Sequence, residues 1–203
     1  MRRTELKETA KANIKRQTGM MMFCSAIYLA IIAAVSSMSM GFIALLITGP
    51  LEVLMYYIFQ KNADGEEIEY RDLIDGSKES RPEESFLLGL KVSIFTFLWS
   101  LLFIVPGIIK ALSYSMSYYI LMRDPELSNS EALDLSCTIM DGYKADLLVL
   151  WLSFFPWYLL VGVTFGIAGI WVYPYVKGTQ TLFYQNLYEN YRNPRQQYAG
   201  TAE

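Results

Sequence analysis

Three ionisable residues interrupt long apolar stretches of this chain, and each follows a proline and precedes aromatic residues. The three groups are Pro50, Glu52, Tyr56 and Tyr57; Pro106, Lys110, Tyr114 and Tyr118; and Pro174, Lys177, Phe183 and Tyr184. A carboxylate and two ammonium groups in apolar surroundings can form an ion pair, hold a polar ligand or line a water-filled cavity. Tyrosine hydroxyls add hydrogen-bond donors and acceptors. The pattern predicts a polar site formed by Glu52, Lys110, Lys177, Tyr56, Tyr114, Tyr118 and Tyr184.

Two interpretations of these charges stay open from the sequence. In the first, the helices that carry the three groups converge, and Glu52 pairs with Lys110 or Lys177 while the tyrosines line a polar cleft. In the second, both lysines extend to the interfaces of a membrane and the tyrosines form aromatic belts there. The spacing differs among the three groups, so it does not decide between them.

The elements that would position these residues are three long apolar blocks. Residues 17–51 and 147–176 contain no charged residue, and residues 86–122 are interrupted only by Lys91, Lys110 and Pro106-Gly107. A helix rises about 1.5 Å per residue and the hydrocarbon of a bilayer is about 30 Å thick, so each block fits two spans. The sequence predicts six transmembrane helices, at about 20–36, 40–60, 86–105, 107–122, 147–163 and 167–188.

Small residues and proline mark the expected bends between paired helices. They are Ser36, Ser37, Ser39 and Gly41 in the first block, Pro106-Gly107 in the second, and Gly162, Gly166 and Gly169 in the third. The second half of the last helix is polar, so it is expected to leave the bilayer early or to face protein. The predicted fold is an all-α, polytopic membrane helix bundle of three hairpins, with residues 1–203 forming a single domain.

The distribution of basic residues predicts the orientation, because Lys and Arg resist translocation across the membrane. Six lie in residues 1–18, five in or beside the first long loop, two flank the second, and three mark the last helix and tail. With both termini in the cytoplasm, only Lys110 among the seventeen basic residues falls near the outer side. We expect a multi-pass protein of the cytoplasmic membrane.

Three segments are expected on the cytoplasmic side. Residues 1–18 are predicted to form an amphipathic arm with Leu6, Ala10 and Ile14 on one face. The acidic loop 61–85 lacks the oxygen-ligand spacing of a calcium site and is predicted to hold one short helix around Ile68, Tyr70, Leu73 and Ile74. In loop 123–145, Ser128 and Glu131 have the spacing of a capping box, which predicts an interfacial helix ending near Gly142. Leu133, Cys137 and Met140 would face the bundle.

Composition excludes several classes of chemistry. The chain has no histidine, which removes His-dependent triads and His-ligated zinc or haem. It has no glycine-rich phosphate loop, and its basic residues follow the membrane boundary instead of forming a nucleic-acid-binding patch. We therefore expect no cofactor, no metal site and no nucleic-acid partner, and the chain is not expected to be an enzyme.

Several motifs together resemble a known family. They are 99–110 (WSLLFIVPGIIK), Tyr114-Ser115, Asp124-Pro125-Glu126, Glu131-Ala132, Ser136, 140–144 (MDGYK), Leu152-Ser153-Phe154, Pro174-Tyr175 and Phe183-Tyr184, and Gly49-Pro50-Leu51-Glu52 also fits. This set is similar to the bacterial membrane family called domain of unknown function 975. The resemblance implies a multi-span bacterial inner-membrane protein of no established activity, distantly like membrane domains attached to some glycerophosphodiester phosphodiesterases. Without histidine, shared hydrolytic chemistry is not expected.

The residues leave three functions open. The bilayer is the expected partner, and intramembrane charges favour a protein that binds, moves or senses a small-molecule or lipid ligand. Interfacial helices and the glycines Gly162, Gly166 and Gly169 favour a scaffold or an accessory subunit that contacts a membrane partner or a second copy. An intramembrane enzyme that uses Glu52, Asp124 or Asp141 as acid or base is least favoured, because no nucleophile and base stand at recognisable spacing.

Overall fold

Every regular element in the residues that the structure describes is a helix. The computed structural model describes residues 3–37, 41–79, 81–102 and 104–192. The helices are α1 (Arg3–Arg16), α2 (Thr18–Ser37), α3 (Gly41–Ala63), α4 (Tyr70–Glu79), α5 (Pro82–Leu102), α6 (Ile104–Tyr114), α7 (Ser117–Arg123), α8 (Asn129–Ile139), α9 (Lys144–Leu152), α10 (Phe155–Val163) and α11 (Gly169–Arg192). The predicted all-α class is confirmed.

Four of the six predicted long helices appear as single helices, and two are broken. The fourth is divided into α6 and α7 at Ser115-Met116, where the hydroxyls of Ser113, Ser115 and Ser117 each bond to a preceding backbone carbonyl. The fifth is divided into α9 and α10 at Ser153-Phe154. The Ser153 hydroxyl bonds to the Leu150 carbonyl there, and Pro156 follows in the first turn of α10. Serine side chains that compete for backbone groups, and a proline that lacks an N–H, account for both breaks.

The bends lie close to the predicted positions but not on all the predicted residues. Pro106 lies in the first turn of α6, where a proline is tolerated because the first residues of a helix have no intrahelical partner for their N–H groups. Gly107 lies inside the same helix. The prediction that Pro106-Gly107 forms the bend is therefore wrong. Gly166 lies in the turn between α10 and α11 with a φ of +90°, as that bend requires. Ser36 and Ser37 belong to α2, Gly162 belongs to α10, and Ser39 lies outside the described residues.

The N-terminal arm is a helix, as predicted, and packs against α11. Leu6 and Ala10 are buried, and α1 meets α2 at a bend of 99°. At the crossing with α11 a side chain at Gly178 would lie 3.3 Å from Ile14 Cδ1 and 3.8 Å from Ala10 Cβ. The absence of a side chain at Gly178 lets the two helices approach closely.

The two helices predicted in the loops are present. In α8 both hydrogen bonds of the capping box form between Ser128 and Glu131, and Leu133 and Met140 are buried while Cys137 is partly buried. In α4, Gly76 lies against Leu54 and Tyr57 of α3, so this helix packs on the bundle. Of the four residues that predicted this helix, Ile68 is buried before its first turn, whereas Tyr70 and Ile74 are exposed.

Few of the described helices meet the length and composition of a membrane span by themselves. Within Lys144–Val163, which includes the α9–α10 break, a stretch of 18 residues has a mean hydropathy of 1.8 and is only 17% buried. The bent pair Arg3–Arg16 and Thr18–Ala34 also qualifies if it is counted as one span. Six spans therefore remain a prediction from the sequence.

Candidate polar site and its groove

Glu52 and Lys177 form an ion pair between α3 and α11. Lys177 Nζ donates a hydrogen bond to Glu52 Oε2, and their side chains are 19% (Glu52) and 7% (Lys177) exposed. Tyr28 of α2 donates a second hydrogen bond to Glu52 Oε1 over 2.8 Å. Both carboxylate oxygens therefore have a partner, which a charge in low-dielectric surroundings requires.

Aromatic rings complete the surroundings of the pair. Lys177 Nζ lies 3.7 Å from the centre of the Tyr56 ring, close enough for a cation–π contact. Tyr28 stacks on Tyr173 of α11 with ring centres 4.5 Å apart and an angle of 22° between the planes. Three helices are thus joined at one point, because α2 and α3 each place a side chain against α11.

The ion pair lies in the wall of a groove of about 270 Å³. Its polar lining residues are Glu52, Lys177, Tyr158, Tyr173 and Gln180, and its other lining residues are Leu29, Val161, Gly169, Val172 and Val176. Gly169 lies against Leu29 of α2, since a side chain there would come within 3.3 Å of Leu29 Cδ1. The groove presents opposite charges beside an apolar wall, which suits a molecule with a polar group and a short apolar part.

Lys110 does not join Glu52. Its ammonium lies over the rings of Trp99, at 5.2 Å, and Tyr114, at 5.8 Å. Tyr114 packs against Phe95 of α5, and a side chain at Gly89 would lie 3.5 Å from the Tyr118 hydroxyl. None of Lys110, Tyr114 and Tyr118 lines the groove.

Tyr184 links the pair to a buried group of tyrosines. Its ring centre is 5.9 Å from Tyr56 and 6.1 Å from Tyr119 of α7, and Gln180 Nε2 donates to its hydroxyl over 2.8 Å. Tyr119 continues to Tyr188 at 6.0 Å. The predicted convergence of helices is therefore seen for α3 and α11. From α7, Tyr119 joins the tyrosine group, and the predicted Tyr118 lies within electrostatic range of Glu52.

Sequence reasoning missed Tyr28, Tyr173, Tyr119 and Gln180. A signal existed for Tyr28, which lies nine positions before the end of α2, while Glu52 lies eleven positions after the start of α3. Similar distances from the bend of a hairpin bring such residues to nearly the same level. No comparable count exists for Tyr119, because the helix that was predicted to carry it is broken between α6 and α7.

The two other acidic candidates lie apart from the groove. Asp124 accepts a hydrogen bond from the Tyr188 hydroxyl and pairs with Arg192 at 3.2 Å. Asp141 is largely exposed and pairs with Lys144 at 3.1 Å. Across the described residues, no three acidic or cysteine side chains are grouped so as to hold a metal ion.

Comparison with known proteins supports the family assignment and adds no activity. Residues 103–191 match the family described as "Protein of unknown function (DUF975)", which confirms the resemblance drawn from the sequence. No curated protein and no solved structure matches the chain. Lys177 and Tyr184 fall inside the matched segment, and Glu52 and Tyr28 fall before it.

Proposed function

We propose that this chain is an inner-membrane protein with six spans and both termini in the cytoplasm, and that it binds a small-molecule or lipid ligand in the groove at Glu52 and Lys177. The observation that carries the ligand proposal is the charged pair in the wall of an otherwise largely apolar groove. The resemblance to a bacterial membrane family supports the location.

Exposed apolar side chains support the membrane placement. Large apolar residues are exposed on α5, α6, α9, α10 and α11 and in the turn between α10 and α11. They are Ile94, Phe95, Phe97, Leu98, Trp99, Val105, Ile108, Ile109, Leu148, Val149, Leu152, Phe155, Trp157, Tyr158, Leu159, Leu160, Val163, Phe165, Ile167 and Trp171. Water-soluble monomers rarely expose apolar patches of this extent. Lipid chains would cover these residues without loss of the internal packing.

The orientation is tested with reporters fused to the two ends of the chain. An alkaline phosphatase fusion is active only outside the cytoplasm, whereas a fluorescent-protein fusion folds inside it. We expect fluorescence and no phosphatase activity from both ends, and phosphatase activity from a fusion in the 164–168 turn. Phosphatase activity at either terminus would contradict the proposed topology.

Ligand binding is tested by native mass spectrometry of protein released from nanodiscs of phosphatidylethanolamine and phosphatidylglycerol. Val161→Trp fills the groove, and Leu160→Trp is its matched control because Leu160 is 44% exposed and does not line the groove. We expect the wild type and Leu160→Trp to retain one tightly bound molecule and Val161→Trp to lose it. Equal retention in all three proteins, or none in the wild type, would contradict the proposal.

A scaffold role is the second candidate, and α10 favours it. No residue of this helix is buried, and a side chain added at Gly162 would meet no atom within 4 Å. A glycine on an open helix face permits close contact with a second transmembrane helix. If α10 is such a contact, Gly162→Leu will reduce the oligomer mass in nanodiscs; if α10 faces lipid, the mass will not change.

A further inference from the structure

A second groove, adjacent to the one at Glu52 and sharing Val172 with it, lies where α1 crosses the α10–α11 hairpin. It has a volume of about 260 Å³ and is lined by Lys11 and Ile14 of α1, Trp157 of α10, and Trp171, Val172 and Tyr175 of α11. Four of these six side chains are aromatic or carry a charge at the end of an apolar stem. The site therefore combines an apolar floor with a single cation.

The two tryptophans of this groove lie on the surface of the protein and not in its core. Trp157 and Trp171 are 43% and 55% exposed, and the Trp157 ring meets Tyr175 edge to face at 5.8 Å. An acyl chain placed along Trp157 and Trp171 would cover apolar surface that is otherwise open.

The cation comes from a stripe of lysines on α1. Lys7, Lys11 and Lys15 follow one another at intervals of four, which places them along one side of the helix. Residues 3–16 carry five basic and two acidic side chains, and Glu8 is the acidic residue nearest to Lys11 along this side. Lys7 contacts the Phe154 ring at 4.5 Å, whereas Lys11 has no ion-pair partner in the part of the chain that the structure describes. A basic helix of this kind attracts anionic lipid.

We propose that this groove binds one anionic phospholipid, with its phosphate at Lys11 and an acyl chain along Trp157 and Trp171. The inference rests on the proposed membrane placement but not on the ligand at Glu52. Charge selects the headgroup, because a lysine without a carboxylate partner discriminates phosphatidylglycerol from a zwitterionic lipid of the same chain length.

Tryptophan quenching tests the site directly. In a background of Trp99→Phe and Trp151→Phe, Trp157 and Trp171 report contact with lipids brominated on the acyl chain. Proteoliposomes contain either brominated phosphatidylglycerol or brominated phosphatidylcholine as a minor component in unlabelled phosphatidylcholine. We expect the groove to bind phosphatidylglycerol about fivefold more tightly than phosphatidylcholine, because one lysine near an anionic surface contributes a preference of about this size. Lys11→Gln should abolish this preference, and the matched Lys15→Gln, one turn further along the same stripe, should preserve it.

Three results would overturn the inference, and they are distinguishable from one another. Equal quenching by the two lipids would mean that the groove is ordinary bilayer contact. Equal losses in Lys11→Gln and Lys15→Gln would mean that the attraction is diffuse and not a site. Absence of quenching by either lipid would refute the membrane placement itself, and with it the proposed function.

Discussion

Lys177 on α11 donates its hydrogen bond to Glu52 on α3, although the two residues are 125 positions apart in the chain. The pair closes the contact between the first hairpin and the last helix, and Tyr28 and Tyr56 hold it from α2 and α3. A single buried charge at this point would have no compensating partner. The pair is therefore one of the contacts that join the first hairpin to the last helix.

Removal of both partners should destabilise the protein less than the sum of the two single removals. Glu52→Gln or Lys177→Met alone leaves a buried charge without its partner, which costs about 3–5 kcal/mol. The double variant contains no unpaired charge, so we expect its loss to be smaller than the sum by about 1–3 kcal/mol. The free energies of unfolding in detergent micelles measure this coupling, and strictly additive losses would refute it.

The sequence indicated which residue types would meet but not which lysine would be used. Glu52, Lys110 and Lys177 each follow a proline in an apolar stretch. The local sequence therefore does not distinguish Lys110 from Lys177 as the partner of Glu52. Which lysine pairs with Glu52 depends on which helices are neighbours of α3. It also depends on the α6–α7 break, where serine hydroxyls compete for backbone carbonyls. By contrast, the capping box of α8 and the buried face of α1 were predictable, because both follow from spacing within one helix.

The capping box of α8 offers a local test. Ser128 accepts a hydrogen bond from the Glu131 N–H, and the Glu131 side chain accepts one from the Ser128 N–H. Ser128→Ala removes one of these bonds and should lower the free energy of unfolding by about 1 kcal/mol. Thr138→Ala is the control, since the Thr138 hydroxyl bonds only to the Asp134 carbonyl in the same helix. Faster hydrogen exchange at the first turn of α8 should occur in Ser128→Ala alone.

The contact between Lys61 and Asp72 predicts a pH dependence. Burial acts to raise the pKa of Asp72, but bonds from Lys61 Nζ at 2.6 Å and from the Glu69 N–H at 2.7 Å hold that pKa below its usual value of 3.8. A carboxyl with a lowered pKa stabilises the folded state above its unfolded pKa and loses that contribution as the pH falls through the folded value. Asp72 should therefore hold α4 against α3 at neutral pH but not in strong acid.

Asp72→Asn tests this dependence. At pH 7 the variant should show faster hydrogen exchange in α4 than the wild type, and the difference should shrink as the pH falls below about 4. Asp75→Asn is the control, because Asp75 is exposed and lies 3.8 Å from Lys78. A difference between wild type and Asp72→Asn that stays constant down to pH 2 would contradict the assigned role.

Gly49 should be intolerant of any side chain, because it lies where α3 crosses α5. A Cβ at Gly49 would lie 2.2 Å from the Ser85 carbonyl oxygen, and one at Gly89 would lie 3.3 Å from Gly49 Cα. Since the obstruction is backbone, the helices must separate, so Gly49→Ala should cost about 3 kcal/mol or more. Gly162→Ala is the control: a side chain there meets nothing within 4 Å, and alanine favours a helix by about 1 kcal/mol. Unfolding in detergent micelles should therefore show a large loss for Gly49→Ala and none for Gly162→Ala, and equal stability of the two variants would mean that α3 and α5 do not cross at Gly49.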